Sequence, residues 1–210
     1  MELGKTKCKG LGSKLGVEEK MENRIVAIIG RTASGKDTIA QELEKKMNIG
    51  KVIGYTTRSK RTSKEEELET STNYFFMEEG VFKAKELSGN IIGTFSTKAY
   101  NKNGVLEEWH YGYSRDISKG VLVTNPVSLL KLIDILGRDK FVVIQVNAEQ
   151  ESRQQRYMKR DDYSLLKEFE RRSLTETEEF NQVSDFDVLK EDGDDINEIV
   201  DKIVDTLKSR

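Results

Sequence analysis

The 210-residue chain carries 35 Lys and Arg against 37 Asp and Glu, which gives a formal net charge of -2. A charge so close to zero provides no broad field that would attract nucleic acid or an anionic membrane, so an anion site has to be built locally. Cys8 is the single cysteine and cannot form an internal disulfide. No apolar run approaches the roughly 20 residues that span a bilayer, and we expect a cytoplasmic protein with one main domain.

The N-terminal segment differs in composition from the rest of the chain. Residues 1–20 combine Gly and Lys without helical or strand periodicity, and they lack the apolar stretch of a signal peptide. We expect a flexible tail over 1–20 and a single domain over 21–210. Met21 stands directly before the first clear strand, so we also expect native translation to start there.

Apolar runs and amphipathic segments alternate along the domain. The first run, Arg24–Ile29, is rich in β-branched residues and is typical of a buried strand in a parallel sheet. A glycine-rich turn and an amphipathic helix, Thr38–Met47, follow it. Further strands are predicted at 52–55, 121–124 and 141–146, and further helices at 126–136, 149–160 and 196–207. This alternation predicts an α/β fold with a parallel sheet.

Two stretches interrupt the alternation. Residues 59–115 contain a highly charged loop, several short aromatic strand candidates and a turn at Gly104, and they predict a small inserted lobe. Residues 150–172 are densely charged and rich in arginine. Their composition favours a lid that closes over a site on the core.

The turn after the first strand matches the spacing of a phosphate-binding P-loop, and it lies between a strand and a helix as that motif requires. Glycines allow the backbone N–H groups to point inward, the helix N-terminus adds positive potential, and the lysine can reach the β and γ phosphates. The predicted nucleotide-binding residues are Gly30, Arg31, Thr32, Ala33, Ser34, Gly35, Lys36, Asp37 and Thr38.

Asp37 departs from the usual P-loop pattern, which has Ser or Thr at this position to offer a hydroxyl to Mg²⁺. Its carboxylate is a candidate magnesium ligand, either directly or through a water molecule. The same residue is also explained as an acidic side chain in the first turn of a helix, where the helix dipole favours it. The sequence leaves both interpretations open.

A first arginine set follows the second predicted strand. Arg58 ends a Thr-Thr-Arg, Arg61 comes three residues later, and Tyr74 begins a Tyr-x-Phe. These motifs resemble the acceptor-phosphate motif of the guanylate kinase family. Planar guanidinium groups bind phosphate oxygens with two hydrogen bonds, and a tyrosine hydroxyl can donate one more. A surface basic cluster is the alternative explanation of this set.

A second arginine set lies in the predicted lid. Arg156, Arg160 and Arg171, with Arg172 adjacent, are spaced like the lid arginines of guanylate kinases. Arg156 and Arg160 share one helix face, so both can point at the same phosphate chain. The alternative is a solvated helix face whose arginines pair with the nearby acidic residues Asp161, Asp162 and Glu168.

The resemblance covers nearly the whole chain after the tail, apart from the loop at 62–72. It implies a three-layer P-loop kinase core with an inserted lobe for the monophosphate and an arginine-rich lid. It also implies ATP and Mg²⁺ as cofactors, and transfer of a phosphoryl group to a nucleoside monophosphate, with GMP or dGMP favoured. We expect a small-molecule substrate and a monomer or homodimer, without nucleic-acid or membrane partners. The implied catalytic residues are Lys36, Arg156, Arg160 and Arg171, and those implied for the acceptor phosphate are Arg58, Arg61, Tyr74 and Tyr111.

The base-reading positions fit the family less closely. Guanylate kinases read guanine with two acidic residues, and Thr97 and Asn125 occupy those positions here. A hydroxyl or an amide accepts hydrogen bonds more weakly than a carboxylate, and Asn can also donate. Three alternatives therefore remain: a phage-type deoxynucleoside monophosphate kinase with another base preference, a kinase with a non-nucleotide acceptor, and a non-catalytic binding module.

The remaining conspicuous side chains of the lobe have simpler explanations. Trp109 and Tyr113 are predicted to lie in the core of the lobe. His110 is interpreted as a lone surface histidine, and Glu107 and Glu108 as parts of a solvated turn.

Overall fold

The computed structural model of the protein describes residues 24–60, 73–101, 104–159, 166–175 and 183–209. The expected tail and the loop at 62–72 lie outside these residues, as do Arg61, Arg160, Asp161 and Asp162. The strands are β1 Ile25–Ile29, β2 Gly54–Thr56, β3 Tyr74–Phe76, β4 Ile91–Tyr100, β5 Leu106–Ser114, β6 Gly120–Val123, β7 Phe141–Asn147 and β8 Phe186–Leu189. The α-helices are α1 Lys36–Met47, α2 Glu79–Leu87, α3 Pro126–Leu136, α4 Gln150–Met158, α5 Leu166–Thr175 and α6 Ile196–Ser209.

The core sheet is parallel, with the strand order β6-β1-β7-β8. Lys51 adds an isolated parallel bridge to Val121 on the outer side of β6. Strand β1 therefore has β6 on one side and β7 on the other, and its apolar run is buried on both faces. In open parallel sheets, ligands bind in the crevice beyond the carboxyl ends of the strands, at the point where the strand order reverses.

Helices cover both faces of this sheet. Helices α1 and α6 pack on one face, and their buried residues Ile39, Leu43, Val200 and Ile203 form one cluster with the strands. Helix α3 packs on the other face through Leu129 and Leu132. The predicted three-layer α/β fold with a parallel sheet is therefore confirmed.

Within the described residues, no helix is long and apolar enough to cross a membrane.

The inserted lobe contains a second sheet with the order β3-β2-β5-β4. Strands β2 and β3 are parallel, whereas β5 is antiparallel to both β2 and β4. The register between β4 and β5 shifts between Ile92 and Phe95. Helix α2 covers one side of the lobe and buries Phe82.

The prediction of one core strand at 52–55 was wrong. Lys51 bridges to the core sheet, but Gly54–Thr56 pairs with β3 and β5 of the lobe. A single extended segment thus pairs with both sheets. The pattern of its side chains could not predict this division. The helix predicted at 149–160 also ends earlier, because Lys159 is the C-cap residue of α4.

Candidate functional site

The loop between β1 and α1 lies at the carboxyl edge of the core sheet and is folded tightly against β7. Gly30 has a φ of 154°, and a Cβ at this position would lie 2.4 Å from the carbonyl oxygen of Val146. Lys36 folds back over the loop and donates from Nζ to the carbonyl oxygens of Gly30 at 2.7 Å and Arg31 at 2.9 Å. Gly35, the N-cap of α1, provides no side-chain cap. Without a side-chain cap, the first-turn N–H groups of α1 offer donors for an anion.

Ser34 gives this loop a buried hydroxyl that suits a phosphate oxygen. Ser34 is fully buried, and its Oγ has no hydrogen-bond partner within the described part of the chain. A buried hydroxyl without a partner costs about 1–3 kcal/mol. A bound phosphate would supply the missing acceptor, so the loop fits the group that its spacing predicts.

Asp37 connects the first turn of α1 to the lobe. Its Oδ1 accepts a hydrogen bond from Nδ2 of Asn73 at 2.6 Å, and Asn73 directly precedes β3. A carboxylate oxygen is a ligand that Mg²⁺ prefers, usually together with substrate phosphates and water. Among the described residues, no group of three or more His, Cys, Asp or Glu could hold a metal by itself. Asp37 therefore fits a shared magnesium site and does not fit an all-protein one.

The predicted acceptor-phosphate residues that the structure describes lie on one face of the lobe sheet. Arg58 is buried, with its guanidinium 4.9 Å from the ring centroid of Phe76, and its Nη1 donates to the carbonyl oxygen of Ser59. The rings of Tyr74 and Tyr111 meet edge to face at 5.4 Å. Burial, together with the neighbouring tyrosines and Asp37, raises the pKa of Tyr74 well above its ordinary value. Tyr74 thus offers a neutral hydroxyl group at neutral pH.

A hydroxyl pair connects this face to the core sheet. Tyr113 donates to Oγ1 of Thr124 at 2.9 Å and also hydrogen bonds with Tyr74. Burial raises the pKa of Tyr113 to about 12. Trp109 and Tyr113 are each 2% exposed. Trp109 is thus buried within the lobe, whereas Tyr113 packs in the cluster between the core sheet and α3, so the prediction that Tyr113 lies in the core of the lobe was wrong.

The two predicted base-reading residues lie on different elements. Thr97 is in β4, opposite Trp109. Asn125 is the N-cap of α3, where its Oδ1 accepts from the backbone N of Ser128 at 2.9 Å. Its amide therefore already stabilises a helix terminus. The base-reading roles of Thr97 and Asn125 stay predictions.

In helix α4, two arginines contact backbone carbonyl oxygens of the predicted phosphate loop. Arg156 binds Asp192 at 2.6 Å, and its Nη1 lies 3.5 Å from the carbonyl oxygens of Ala33 and Ser34. The hydrogen bond from Arg156 lowers the pKa of Asp192. Arg153 is buried and donates from Nη1 to the carbonyl oxygen of Thr32 at 3.4 Å. The sequence analysis missed Arg153, although its spacing of three from Arg156 places both on one helix face.

Helix α5 docks on this part of the core through what we call the lid seat: Ala33, Arg153, Tyr157 and Phe169. The rings of Tyr157 and Phe169 are 5.4 Å apart, and the guanidinium of Arg153 lies 5.6 Å from the Phe169 ring. Ala33 of the phosphate loop belongs to the same buried cluster as the two rings. Helix α5 thus shares a buried cluster with a residue of the predicted phosphate loop.

Glu168 joins the two adjacent lid arginines and was predicted only as an alternative partner for them. Its side chain is 4% exposed and accepts from Nε and Nη2 of Arg171, both at 2.8 Å, and from Nε of Arg172 at 2.7 Å. Burial alone would raise the pKa of Glu168, but the hydrogen bonds from the two arginines outweigh it and lower the pKa. The carboxylate therefore stays ionised inside the lid.

Two interpretations of lobe residues were wrong. Glu107 lies in β5 and not in a solvated turn, and it accepts hydrogen bonds from Trp109 Nε1, Asn101 Nδ2 and Ser59 Oγ. The hydrogen bond from Trp109 is the largest influence that lowers the pKa of Glu107. His110 is not a lone surface residue, because its ring stacks on Phe82 and its Nδ1 lies 2.7 Å from Ser96 Oγ. Pairing of β4 with β5 brings Ser96 beside His110, while Phe82 comes from helix α2 and Ser59 from the segment after β2.

The chain matches no protein-family model, and no curated protein matches its sequence. Among solved structures, it is similar to an uncharacterized protein from Eubacterium ventriosum ATCC 27560, with 14% identity, a TM-score of 0.47, and coverage of 89% of this chain and 99% of that one. It is also similar to an unliganded sugar kinase from Janibacter sp. HTCC2649, with 10% identity, a TM-score of 0.44, and coverage of 87% and 93%. Both likenesses are too distant to bear on the reaction of this chain.

Proposed function

We propose that the protein is a P-loop kinase that transfers the γ-phosphoryl group of ATP to a nucleoside or deoxynucleoside monophosphate, with GMP or dGMP favoured. The observation that carries this proposal is the hydrogen bond that joins the helix after the predicted phosphate loop to the lobe, beside the predicted acceptor-phosphate residues. Lys36 lies over the phosphate loop, and Asp37 of the same helix is hydrogen-bonded to Asn73, next to Tyr74 of the lobe. A donor phosphate on the loop would therefore face an acceptor phosphate on the lobe.

The proposed reaction needs charge stabilisation and positioning, and it needs no covalent nucleophile from the protein. An oxygen of the acceptor phosphate attacks the γ phosphorus, and the bridging oxygen of ADP leaves with the electron pair of the broken bond. Lys36 and the loop N–H groups hold the donor phosphates, while Arg58, Tyr74 and Tyr111 orient the acceptor phosphate. Asp37 would help to hold Mg²⁺, which neutralises charge on the β and γ phosphates when it is bound.

The buried Ser34 hydroxyl and the lid seat support the same proposal. Ser34 Oγ has no hydrogen-bond partner in the described part of the chain, and a donor phosphate would give it one. The lid seat brings α5 onto Ala33 of the loop, which would exclude water from the transferring group.

A coupled ADP-release assay with ATP, Mg²⁺ and a panel of monophosphates tests the proposal. The panel comprises GMP, dGMP, AMP, dAMP, CMP, dCMP, UMP and dTMP. Lys36→Ala should lower turnover by at least about 100-fold, the usual cost of one essential charge-stabilising group. Lys45→Ala is the matched control, because Lys45 is an exposed lysine of the same helix that pairs with Glu42. ADP release that is independent of every monophosphate would overturn the proposal.

One observation favours a second candidate, a kinase whose acceptor is the hydroxyl group of a non-nucleotide. Such an acceptor must lose a proton, and the Asp37 carboxylate lies at the junction of the phosphate loop and the lobe. With a hydroxyl acceptor, Asp37→Asn should abolish turnover across the accessible pH range. With a phosphate acceptor, added Mg²⁺ should largely restore the turnover of the Asp37→Asn variant.

A further inference from the structure

Lys190, the residue that follows β8, lies against the predicted phosphate loop. A Cβ at Gly35 would lie 2.6 Å from Cδ of Lys190 and 3.1 Å from its Cε. The methylene groups of Lys190 therefore occupy the space that a side chain at position 35 would take, and the φ of 95° at Gly35 also favours glycine there. Because Gly35 is the N-cap of α1, the Lys190 side chain reaches the N-terminus of this helix.

The backbone of Lys190 is held at this place by two hydrogen bonds. Its N–H donates to the carbonyl oxygen of Asn147, the last residue of β7, at 2.9 Å. Its carbonyl oxygen accepts from Nη2 of Arg156 at 3.4 Å, and Nη1 of the same guanidinium lies 3.5 Å from the carbonyl oxygens of Ala33 and Ser34. Lys190 is thus joined to both the core sheet and the loop, so its place beside the loop follows from the fold.

A positive charge at this place is unfavourable unless an anion is bound beside it. The N-terminus of a helix carries a positive partial charge that favours anions and repels cations. Lys36, the first residue of α1, adds a second positive charge. Asp192 offers Lys190 little compensation, because its carboxylate is paired with Arg156 at 2.6 Å.

A second observation at the same loop does not involve Lys190 and also points to an anion. Ser34, which directly precedes Gly35, is fully buried, and its hydroxyl has no hydrogen-bond partner among the described residues. Burial of a hydroxyl without a partner is costly, and a phosphate oxygen would supply the missing acceptor. Lys190 and Ser34 thus indicate one anion at the N-terminus of α1.

Lys190 and the predicted acceptor residues border the loop from opposite sides. The lobe continues from Lys51, which bridges to the outer side of β6, whereas Lys190 follows β8 at the other edge of the same sheet. Asp37 agrees with this arrangement, because it bonds Asn73 directly before β3 of the lobe. In phosphoryl transfer the attacking and leaving oxygens lie roughly in line, on opposite sides of the phosphorus. An acceptor on the lobe side therefore places the leaving ADP on the β8 side.

Resting on the proposed phosphoryl transfer, we propose that Lys190 binds the phosphates of the donor nucleotide that are retained in ADP. Its ammonium group contacts these phosphates before and after transfer, so Lys190 strengthens the binding of ATP and of ADP to a similar extent. A contact of similar strength in both states lowers KM for ATP and has little effect on kcat. Lys190 is thus a binding residue, in contrast to Lys36.

Lys190→Met tests the assignment, because Met keeps most of the aliphatic stem over Gly35 and loses the charge. Calorimetry with Mg²⁺ and without an acceptor should show about a tenfold loss of affinity for both ADP and ATPγS, as expected for one hydrogen bond to a charged group. Lys202→Met, at an exposed lysine of α6, is the control and should change neither affinity. A loss confined to ATPγS, or no loss, would overturn the assignment.

Inorganic pyrophosphate separates a phosphate contact from a contact with the nucleoside. Because pyrophosphate has no sugar or base, Lys190→Met should weaken its binding by about the same factor as that of ADP. Weaker binding of ADP with unchanged binding of pyrophosphate would place Lys190 beside the nucleoside and contradict the assignment.

Thermal stability distinguishes a lysine that binds a ligand from one with a structural role. Without ligand, Lys190→Met should raise the thermal midpoint by about 1–3 °C, because it removes a charge that the helix N-terminus and Lys36 repel. If Lys190 instead stabilised the turn after β8 through Asp192, the midpoint would fall. A lower midpoint with unchanged affinities would reject the binding role.

The turnover assay separates failure of this inference from failure of the proposed function. With the best monophosphate, Lys190→Met should raise KM for ATP about tenfold and keep kcat within about threefold of the parent protein. Loss of ADP affinity in Lys190→Met without turnover of any monophosphate would retain the role of Lys190 and reject the acceptor. Monophosphate turnover with an unchanged KM for ATP would do the reverse. A parent protein that binds neither ADP nor ATPγS would reject both.

Discussion

The parallel core sheet and the mixed lobe sheet differ in how completely their strands are buried. Strands β1 and β6 are buried along their whole length, and β7 is buried except at its last residue. Strands β4 and β5 of the lobe instead combine buried, half-buried and exposed positions. Burial on both faces therefore constrains the residues of the core strands, while the lobe strands leave side chains accessible on part of their surface.

The largest effect is expected where the phosphate loop touches the core. Gly30→Ala would place a methyl group 2.4 Å from the carbonyl oxygen of Val146, which is backbone of β7 and cannot move aside. We expect the free energy of unfolding to fall by about 3 kcal/mol, the upper range for overpacking, and ATP binding to be lost. Urea denaturation and calorimetry measure the two effects.

Gly80→Ala is the matched control in the lobe. Nothing lies within 4 Å of a Cβ at this helical position, so the variant should gain up to about 1 kcal/mol from helix propensity. If both variants changed stability equally, the contrast between the core edge and the lobe would be lost.

The lid seat should behave as a local unit that depends on the core. Phe169→Ala removes a buried ring from the contact with Tyr157 and Ala33 and should weaken docking of α5 by about 3 kcal/mol. Hydrogen exchange should then accelerate over residues 166–175 and not in β1 or β7. Leu174→Ala, in the same helix but 78% exposed, should leave exchange unchanged. Uniform acceleration through the core would mean that the lid seat is part of the global core.

The sequence predicted the core more fully than the site. Continuous apolar runs indicate strands buried on both faces, and Gly30 to Lys36 carry a local spacing with a local mechanism. These features need no knowledge of which segments meet in space. For the same reason, Pro126 marked the start of α3 correctly.

The missed residues depend on tertiary pairing. Glu107 gains Asn101 and Ser59 as partners only when β5 pairs with β4 and the residues after β2 lie beside it. Arg153 contacts the phosphate loop only because α4 packs against that loop in the folded protein. Glu168 could have been found, because its spacings of three and four from Arg171 and Arg172 predict helical ion pairs. Its burial, which distinguishes it from a surface ion pair, could not be predicted.

Arg58 should be the strongest determinant of the acceptor among the described lobe residues. Its guanidinium stacks on Phe76, and Lys cannot reproduce both this stacking and a bidentate phosphate contact. Arg58→Lys should therefore raise KM for the monophosphate about tenfold, equal to about 1.4 kcal/mol, and leave KM for ATP unchanged. Arg138→Lys, at a surface pair with Asp185, should change neither. An equal rise of both constants for Arg58→Lys would place Arg58 outside the acceptor site.

Glu107 should make the stability of the lobe depend on pH. Because hydrogen bonds lower its folded-state pKa, its stabilisation is complete above the unfolded-state pKa and is lost as the pH falls through the folded-state pKa. Glu107→Gln should cost about 1–2 kcal/mol at pH 7, within the range for hydrogen bonds to a charged group, and nearly nothing at pH 3. Denaturation across this range measures the difference. Glu108→Gln, exposed at the next position, is the control and should leave the free energy of unfolding at pH 7 unchanged.

The smallest effect separates two uses of Asn125 at the boundary between core and lobe. As the N-cap of α3 it accepts from the backbone N of Ser128, so Asn125→Ala should lose about 1 kcal/mol of stability. Asn125→Asp retains the cap and replaces the amide with a carboxylate, which accepts from guanine N–H groups more strongly than an amide does. If Asn125 also reads the base, Asp should raise the preference for GMP over AMP while thermal stability stays at the parent level. If the preference is unchanged in both variants, the side chain serves the helix alone, and the base must be read from the lobe.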